Sequence, residues 1–597
     1  MINTTKTEWK FEELVTGNLD NVFEKEKELV VEKAKDFAKK WERQTDYLKD
    51  EKILKEALDD YEELNKNYGT SGKIGYYLWL KKMQNQSDED IKAKYNLIDE
   101  NARKVDNIIQ FFSIKIAKIP KEIQKKFLSS PLLSKYKHYL ERRFRIGKHI
   151  LSEAEEKILT LKDAVSYENW VSMTSEILAK EEREVFTGKN YEKKNFSEIM
   201  SMTFDQNKKI RDSAAEAFNE ILSKNADVAT AEINSILQNK KIDDELRGYA
   251  RPDESRIVAD DIDNDFVDDL ISSVSKRFNI AKKIYELKAR LLGVPQLKYH
   301  ERNLRYGTAN KEISYEESAN LVYNTFRYLD KDFEKIVEKM FNGYVDAFPK
   351  KGKRNNAFCA NGLKTHPTYI LLNFTNKFDD VRIMSHELGH AINNELIKKQ
   401  NALNSNVPMA TAEVASNFFE EIVFQENLKK IKNEEEKLSI MVNRLQDDVG
   451  AIFRQIACYN FEKKLHEEFR KKGNLGKDEI GKIFRKNMEA YMGEFIEQSD
   501  GAEIYWVSWP HIREFFYVYS YSSGCLIAKA MIKTIKENPD NIIKIKEFLS
   551  SGKSKSPREL FEEIGVKLDE RFWDIALEEM EKELNETWEL AEKLGKI

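Results

Sequence analysis

Cysteine, histidine, proline and glycine are all scarce in this chain, and each scarcity excludes something. The three cysteines, Cys359, Cys458 and Cys525, are too few and too scattered for a disulfide framework or a cysteine zinc site. No apolar run approaches the roughly 18 residues of a membrane span. The opening MINTTKTEWKFEELV has no basic region followed by an apolar one, so no secretory signal is read there. Neither sign of charge dominates: 99 Lys and Arg stand against 104 Asp and Glu, for a net charge of −5. That balance supplies no basic field for nucleic acid and no polybasic tail for a membrane surface. The expectation is a protein of the reducing cytoplasm that binds neither. Monomer and homodimer are both left open.

What is present is core and helix. Hydrophobic residues make up 41% of the 597, with 33 Phe and 25 Tyr, and a chain this long exceeds one ordinary core. With 10 Pro, 23 Gly and abundant Glu, Lys and Leu, the composition reads as mainly α. Amphipathic helical runs follow one another from about residue 18 to 183, with breaks at YGTSGK and at Pro120 and Pro131. The polar stretch Thr187 to Ser197 is read as a boundary, giving an N-terminal helical domain at 1–195 and a second domain at 196–597. Between about 297 and 375 the texture turns β-leaning, in the runs LKYHERNLRY, NGYVDAF, AFCANG and TYILLNFT. A small sheet is expected there, with TYILLNFT able to take a peptide as an added strand. His138 and His149 stand singly and are read as structural or solvated, His466 as structural, and His300 and His366, near the sheet, as structural ahead of lining the cleft.

The one dense cluster of chemistry is VRIMSHELGHAINNEL. His386 and His390 are four apart, so a helix stacks both imidazoles on one face, with Glu387 about a quarter-turn aside. Two neutral nitrogens and a carboxylate able to reach a metal-activated water are what catalytic zinc requires. In a chain with 8 His the pattern His-Glu-x-x-His arises by chance about once in a hundred such chains. Val381, Met384, Leu388 and Ile392 give the helix a buried face, and Gly389 permits a close neighbour.

A third ligand must come from elsewhere, because Asn393 and Asn394 ligate zinc poorly and Glu395 points away. The metzincin pattern is excluded, since Leu396 stands where its third His would be. The next helix, MATAEVASNFFEEIVFQENL, offers Glu413 in its first turn among the small residues Ala410, Ala412 and Ala415. Glu421 and Glu426 compete, and spacing alone favours Glu413 without deciding. Asn417 and Glu420, on the same face, are positioned to orient the ligands from behind.

HELGH followed by TAEVAS resembles the oligoendopeptidase F and thimet oligopeptidase group of zinc metallopeptidases. WKFEELV, GKRNNAFC, THPTYILLN, DDVRIMSHELGH and FFYVYSYSSG stand in the same order as in oligoendopeptidase F, so the resemblance covers close to the whole chain. It implies Glu413 as the third ligand of one Zn2+ per chain. It also implies a mainly α, zincin-type fold: a helical ellipsoid with a deep substrate channel that admits short unstructured peptides.

A second informative stretch is WPHIREFFYVYSYSSG. An aromatic stripe of this kind is by itself ordinary core. In the family that the chain resembles, a His followed by a tyrosine-rich run faces the zinc. His511 and Tyr519 match it as donors to the developing oxyanion, and Tyr517 and Tyr521 as further substrate-binding positions. Ile512 and Arg513 depart from the aromatics usual after the His, which leaves Arg513 as a candidate for a substrate carboxylate. Ser522, Ser523 and Gly524 suggest a flexible turn. The function expected is a zinc endopeptidase that cuts internal bonds of oligopeptides, with Glu387 as general base. The alternatives are a zinc exopeptidase, a non-catalytic peptide-binding protein on the same scaffold, and a helical scaffold whose His pair is fortuitous.

Overall fold

The computed structural model describes residues 2–307, 312–566 and 569–597. The chain forms two compact units, and each is assembled from three separated segments. The first holds residues 1–150, 310–429 and 531–567, the second residues 151–309, 430–530 and 568–597. The stretch offered as a boundary is not one in space. Thr187 and Asn190 close the turn of an antiparallel hairpin, Glu182–Phe186 against Tyr191–Asn195, inside the second unit. Polar, turn-rich sequence marks a hairpin as readily as a linker.

In the first unit the helices Leu19–Trp41, Glu51–Asn67 and Glu89–Ala117 start where the sequence supplies an N-cap. Asn18, Asp50 and Asp88 each accept a first-turn backbone N–H. Their apolar stripes bury Trp41, Tyr47, Phe112 and Tyr136 in one core. The second unit is built along the 40-residue helix Lys208–Arg247, which Gly248 ends in a left-handed conformation at φ 71°. Helices Asn264–Lys276, Phe278–Leu291, Arg454–Lys472 and Lys477–Met492 complete most of it. Among the described residues no helix is long and apolar enough to cross a membrane.

The expected sheet forms, shorter than the sequence suggests. Val345–Asp346, Tyr369–Leu371 and Phe358–Ala360 lie side by side in that order. LKYHERNLRY does not join them: Leu297–Lys298 pairs instead with Ile496–Glu497 in the second unit. TYILLNFT is the central strand, flanked on both sides, so it has no free edge to offer a peptide. On the Val345 side the chain start covers the sheet. The Ala347 N–H donates to the Thr7 carbonyl, Lys10 N–H to the Gly343 carbonyl, and the Trp9 indole to the Ile370 carbonyl. Phe358–Ala360 is the other edge, and it packs on the helix that carries the two histidines, where the Asn394 amide reaches Cys359 Sγ at 3.5 Å.

A buried ion pair anchors this sheet. Lys353 Nζ lies 2.7 Å from Asp346 Oδ1 and also donates to the Asp346 and Phe348 carbonyls, with both side chains 1% exposed. Gln84 donates to the second Asp346 oxygen at 2.6 Å. Lys353→Met strands that carboxylate in the interior and is expected to lower stability by about 3–5 kcal/mol. Urea unfolding measures it, and a loss below about 1 kcal/mol would show that the pair does not hold the sheet.

Candidate metal centre

The helix Phe378–Ile397 buries Val381, Met384, Leu388, Ile392 and Leu396 and so presents His386 and His390 together on its partly exposed face. Asn393, on the buried side, donates to the Leu549 carbonyl at 2.7 Å. Glu395 is turned away and held by Lys339, Lys398 and Thr368. The segment after it begins with a 3-10 turn at Met409–Thr411, and the α-helix proper is Val414–Leu428. Glu413 therefore stands at the N-cap of that helix rather than within its first turn.

Gly389 sets the distance between these two helices. A Cβ placed on it would lie 2.8 Å from the Ser416 Cα and 2.9 Å from the Ala415 carbonyl oxygen, both backbone atoms. Only glycine allows that approach. It brings Glu413 Oε2 to 3.4 Å from His386 Nε2 and 3.5 Å from His390 Nε2. One nitrogen or oxygen from each of the three residues lies within 4.8 Å of the others. Tetrahedral ligands about 2.1 Å from a zinc ion stand about 3.4 Å apart, so the donor set has the spacing and chemistry of a three-ligand site. Glu421, bonded to Gln425, and Glu426, bonded to Lys429, do not join the cluster.

Two further groups hold the ligands in place. Glu420, 4% exposed, accepts from His386 Nδ1 at 2.9 Å, which leaves Nε2 aimed at the cluster. Ser416 donates to Glu413 Oε2 at 2.9 Å, a contact not foreseen from the sequence although Ser416 lies in the AEVAS segment itself. Among the described residues no hydrogen bond joins the Asn417 side chain to either imidazole, so Glu420 alone of the expected pair makes that contact. The field at the site calls for positive charge. Burial by itself depresses the His386 imidazolium, but the Glu413 and Glu420 carboxylates overturn that and hold it up to about 10. Burial works against the Glu413 carboxylate too, and its two imidazole neighbours still hold it well below the usual range. Glu387 is 7% exposed, and burial raises its carboxyl above the ordinary value against the pull of the two imidazoles.

The tyrosine-rich run lies in the second unit. His511 and Tyr517 stack with ring centroids 5.5 Å apart, Tyr521 lies 5.8 Å from His511, and the Tyr517 and Tyr521 hydroxyls are 3.4 Å apart. All three side chains are partly exposed. Burial, with Arg454 nearby, lowers His511 to about 4, so its ring is neutral at neutral pH, and its buried Nδ1 has no hydrogen-bond partner among the described residues. Tyr519 does not belong to this group. It is fully buried and donates to Asp260 at 2.6 Å, with its ring against Phe266 and Tyr459. Tyr517 precedes the helix Tyr519–Glu537 and its ring lies 5.7 Å from that of Tyr521 in the first turn, whereas Tyr519, the first residue of the helix, is turned to the other side. That helix runs straight through Ser522, Ser523 and Gly524, so no flexible turn follows the tyrosines. Arg513 is not available to a substrate either. It is 5% exposed, bidentate to Glu232 at 2.9 Å on both arms, and bonded to the carbonyls of Trp506, Val507 and Trp509. His366 and His466 are buried as structural groups, and His300 pairs with Asp212.

Comparison with known proteins accords with this geometry. The profile of Peptidase family M3 matches residues 201–577, and that of Oligopeptidase F matches residues 115–181. An oligoendopeptidase F homolog of Lactococcus lactis is 25% identical over 583 residues, 93% of this chain and 96% of that protein. One from Borreliella burgdorferi is 25% identical over 528 residues, 87% of this chain and 88% of its own. Among solved structures, oligoendopeptidase-F from Enterococcus faecium shares the fold with a TM-score of 0.71 at 19% identity, over 96% of this chain and all of that one.

Two substitutions probe the site. Gly389→Ala wedges the helices apart and is expected to destabilise the protein by about 1–3 kcal/mol while lowering metal occupancy; thermal melting and metal analysis read the two effects. Glu420→Ala frees the His386 ring and is expected to weaken metal binding about 10- to 100-fold, measured by competition with a chromophoric chelator. Unchanged affinity would mean that Glu420 does not orient the ligand.

Proposed function

The chain belongs to peptidase family M3 and is a metal-dependent hydrolase of oligopeptides, and from that premise we propose a zinc endopeptidase cutting internal bonds of short unstructured peptides. The observation that carries this reading is the 3.4–3.5 Å spacing of Glu413 from both imidazole nitrogens, the edge length of a tetrahedral zinc site. His386, His390 and Glu413 would hold the ion. When bound, zinc supplies a Lewis acid that polarises the scissile carbonyl and lowers the pKa of water.

The protein's own residues do the rest. Glu387 takes a proton from the attacking water on its carboxylate and returns it to the departing amine nitrogen. Its burial supports the second half of that task, since a raised carboxyl favours the protonated form that donates to the amine. The edge strand Phe358–Ala360 is suited to receive the peptide backbone, because the sheet's other edge is covered and this one packs on the helix bearing Glu387. Strand addition reads backbone rather than side chains and requires an extended substrate, which favours unfolded peptides over folded proteins. His511, Tyr517 and Tyr521 are assigned to donate hydrogen bonds to substrate, Tyr519 being committed to Asp260.

The purified protein is expected to contain one zinc per chain, to lose cleavage on treatment with 1,10-phenanthroline and to regain it with added zinc. Peptides blocked at both termini are expected to be cut at internal bonds, with fragments identified by mass spectrometry. Removal of single terminal residues only, from unblocked peptides, would instead establish an exopeptidase. Glu387→Gln is expected to bind zinc normally and lose at least about a thousandfold in kcat; cleavage at the parent rate would exclude Glu387 as the base.

A further inference from the structure

The turn that joins His511 to Tyr517 has a backbone that its own residues disfavour. Phe515 and Phe516 are consecutive, neither is glycine, and both have positive φ, 45° and 60°. Such a pair persists only when its surroundings hold it. Tyr167 meets the Phe515 ring at 6.0 Å and donates to the Arg513 carbonyl, and on the other side the turn is held by one face of the helix Arg454–Lys472. Tyr459, Glu462 and His466 stand three and four residues apart and so line up along it. The Tyr459 ring meets Phe516 edge-on at 5.3 Å. His466 packs 4.7 Å from Phe516 and 5.2 Å from Phe515. Between them Glu462 Oε2 accepts the Phe516 backbone N–H at 2.7 Å.

Glu462 is out of place as a structural residue. It is wholly buried, and its remaining polar contact is Cys458 Sγ at 3.8 Å. Among the described residues no cation forms an ion pair with it. Burial pushes its carboxyl up to about 8, with the Phe516 N–H and the Cys458 thiol pulling weakly the other way. At neutral pH it is mostly an uncharged acid whose carbonyl oxygen takes the N–H. An apolar side chain of the same volume would suit the packing of this unit as well or better. What an apolar residue would not supply is an acceptor for the Phe516 N–H. The other end of the loop is secured separately, through Arg513 and Glu232, and the Tyr517 carbonyl accepts from the Ser520 N–H and hydroxyl, which leaves the Phe516 N–H as the contact that Glu462 supplies between them.

We propose that Glu462 is a positioning residue of the peptidase: by gripping the Phe516 N–H it locks the left-handed turn and sets the Tyr517 ring over His511, in register with Tyr521. It touches no substrate and acts through the backbone. The inference rests on the reading of His511, Tyr517 and Tyr521 as substrate donors.

The test compares three substitutions in the full-length zinc-loaded protein with an internally quenched peptide, each assayed well below its own melting midpoint. Glu462→Gln keeps an amide oxygen at the same reach and is expected to stay within about threefold of the parent kcat. Glu462→Asp withdraws the acceptor by one methylene, and Glu462→Leu removes it. Both are expected to lose about 10- to 100-fold in kcat, with KM shifted much less and zinc content unchanged. Rescue by Gln is the deciding readout, since general loss of folding would not separate Gln from Asp. Parent-like turnover in the Asp variant overturns the proposal even if the Leu variant fails to fold, and so does a Gln variant as impaired as Asp. A parent that shows no zinc-dependent cleavage overturns the functional reading itself, and with it this role. A parent that cleaves alongside indifferent variants overturns the role of Glu462 alone.

Discussion

Everything at the candidate metal centre depends on two helices meeting backbone to backbone at Gly389. Histidines four apart supply only two of the three ligands, and a helix cannot provide the third at a workable angle from its own next turn. The third must come from a neighbour close enough for a glutamate to span the gap. Any side chain at 389 would meet the Ser416 Cα and the Ala415 carbonyl at under 3 Å. With hydrogen there, the distance closes, Glu413 reaches both rings, and Ser416 and Glu420 on the same neighbour fix the oxygen and the imidazole respectively. Ligand and orienting group thus arrive together on one element, which makes the geometry a property of a single helix contact.

The sequence discloses what local spacing encodes. His386, Glu387 and His390 are legible because a helix turns a four-residue interval into a shared face. The small residues around Glu413 announce a close approach. Glu420 follows from the same periodicity. What stays hidden is set by partners distant in sequence. Arg513 looks unclaimed until Glu232, 281 residues away, is seen against it. TYILLNFT reads as a good strand, but nothing in it says whether it is central or at an edge, because that is decided by Val345–Asp346 and Phe358–Ala360.

Tyr519 is a different kind of error. Tyr519 is singled out only through the family resemblance, and nothing in FYVYSY itself separates it from Tyr517 and Tyr521. The chain enters a helix at Tyr519. Tyr517 and Tyr521 keep company while Tyr519 turns inward to Asp260. The left-handed pair at Phe515 and Phe516 is equally silent, since glycine, the usual marker of such a turn, is absent from it.

The threefold segmentation of each unit has a consequence for how the enzyme is made. The three candidate ligands are all present once residue 413 has been synthesised, yet the unit that contains them also includes residues 531–567. Asn393 on the histidine helix lacks its buried acceptor until the Leu549 carbonyl has been made. A chain in the course of synthesis therefore carries His386, His390 and Glu413 through more than a hundred residues of elongation before the last segment of their own unit is available to pack behind them.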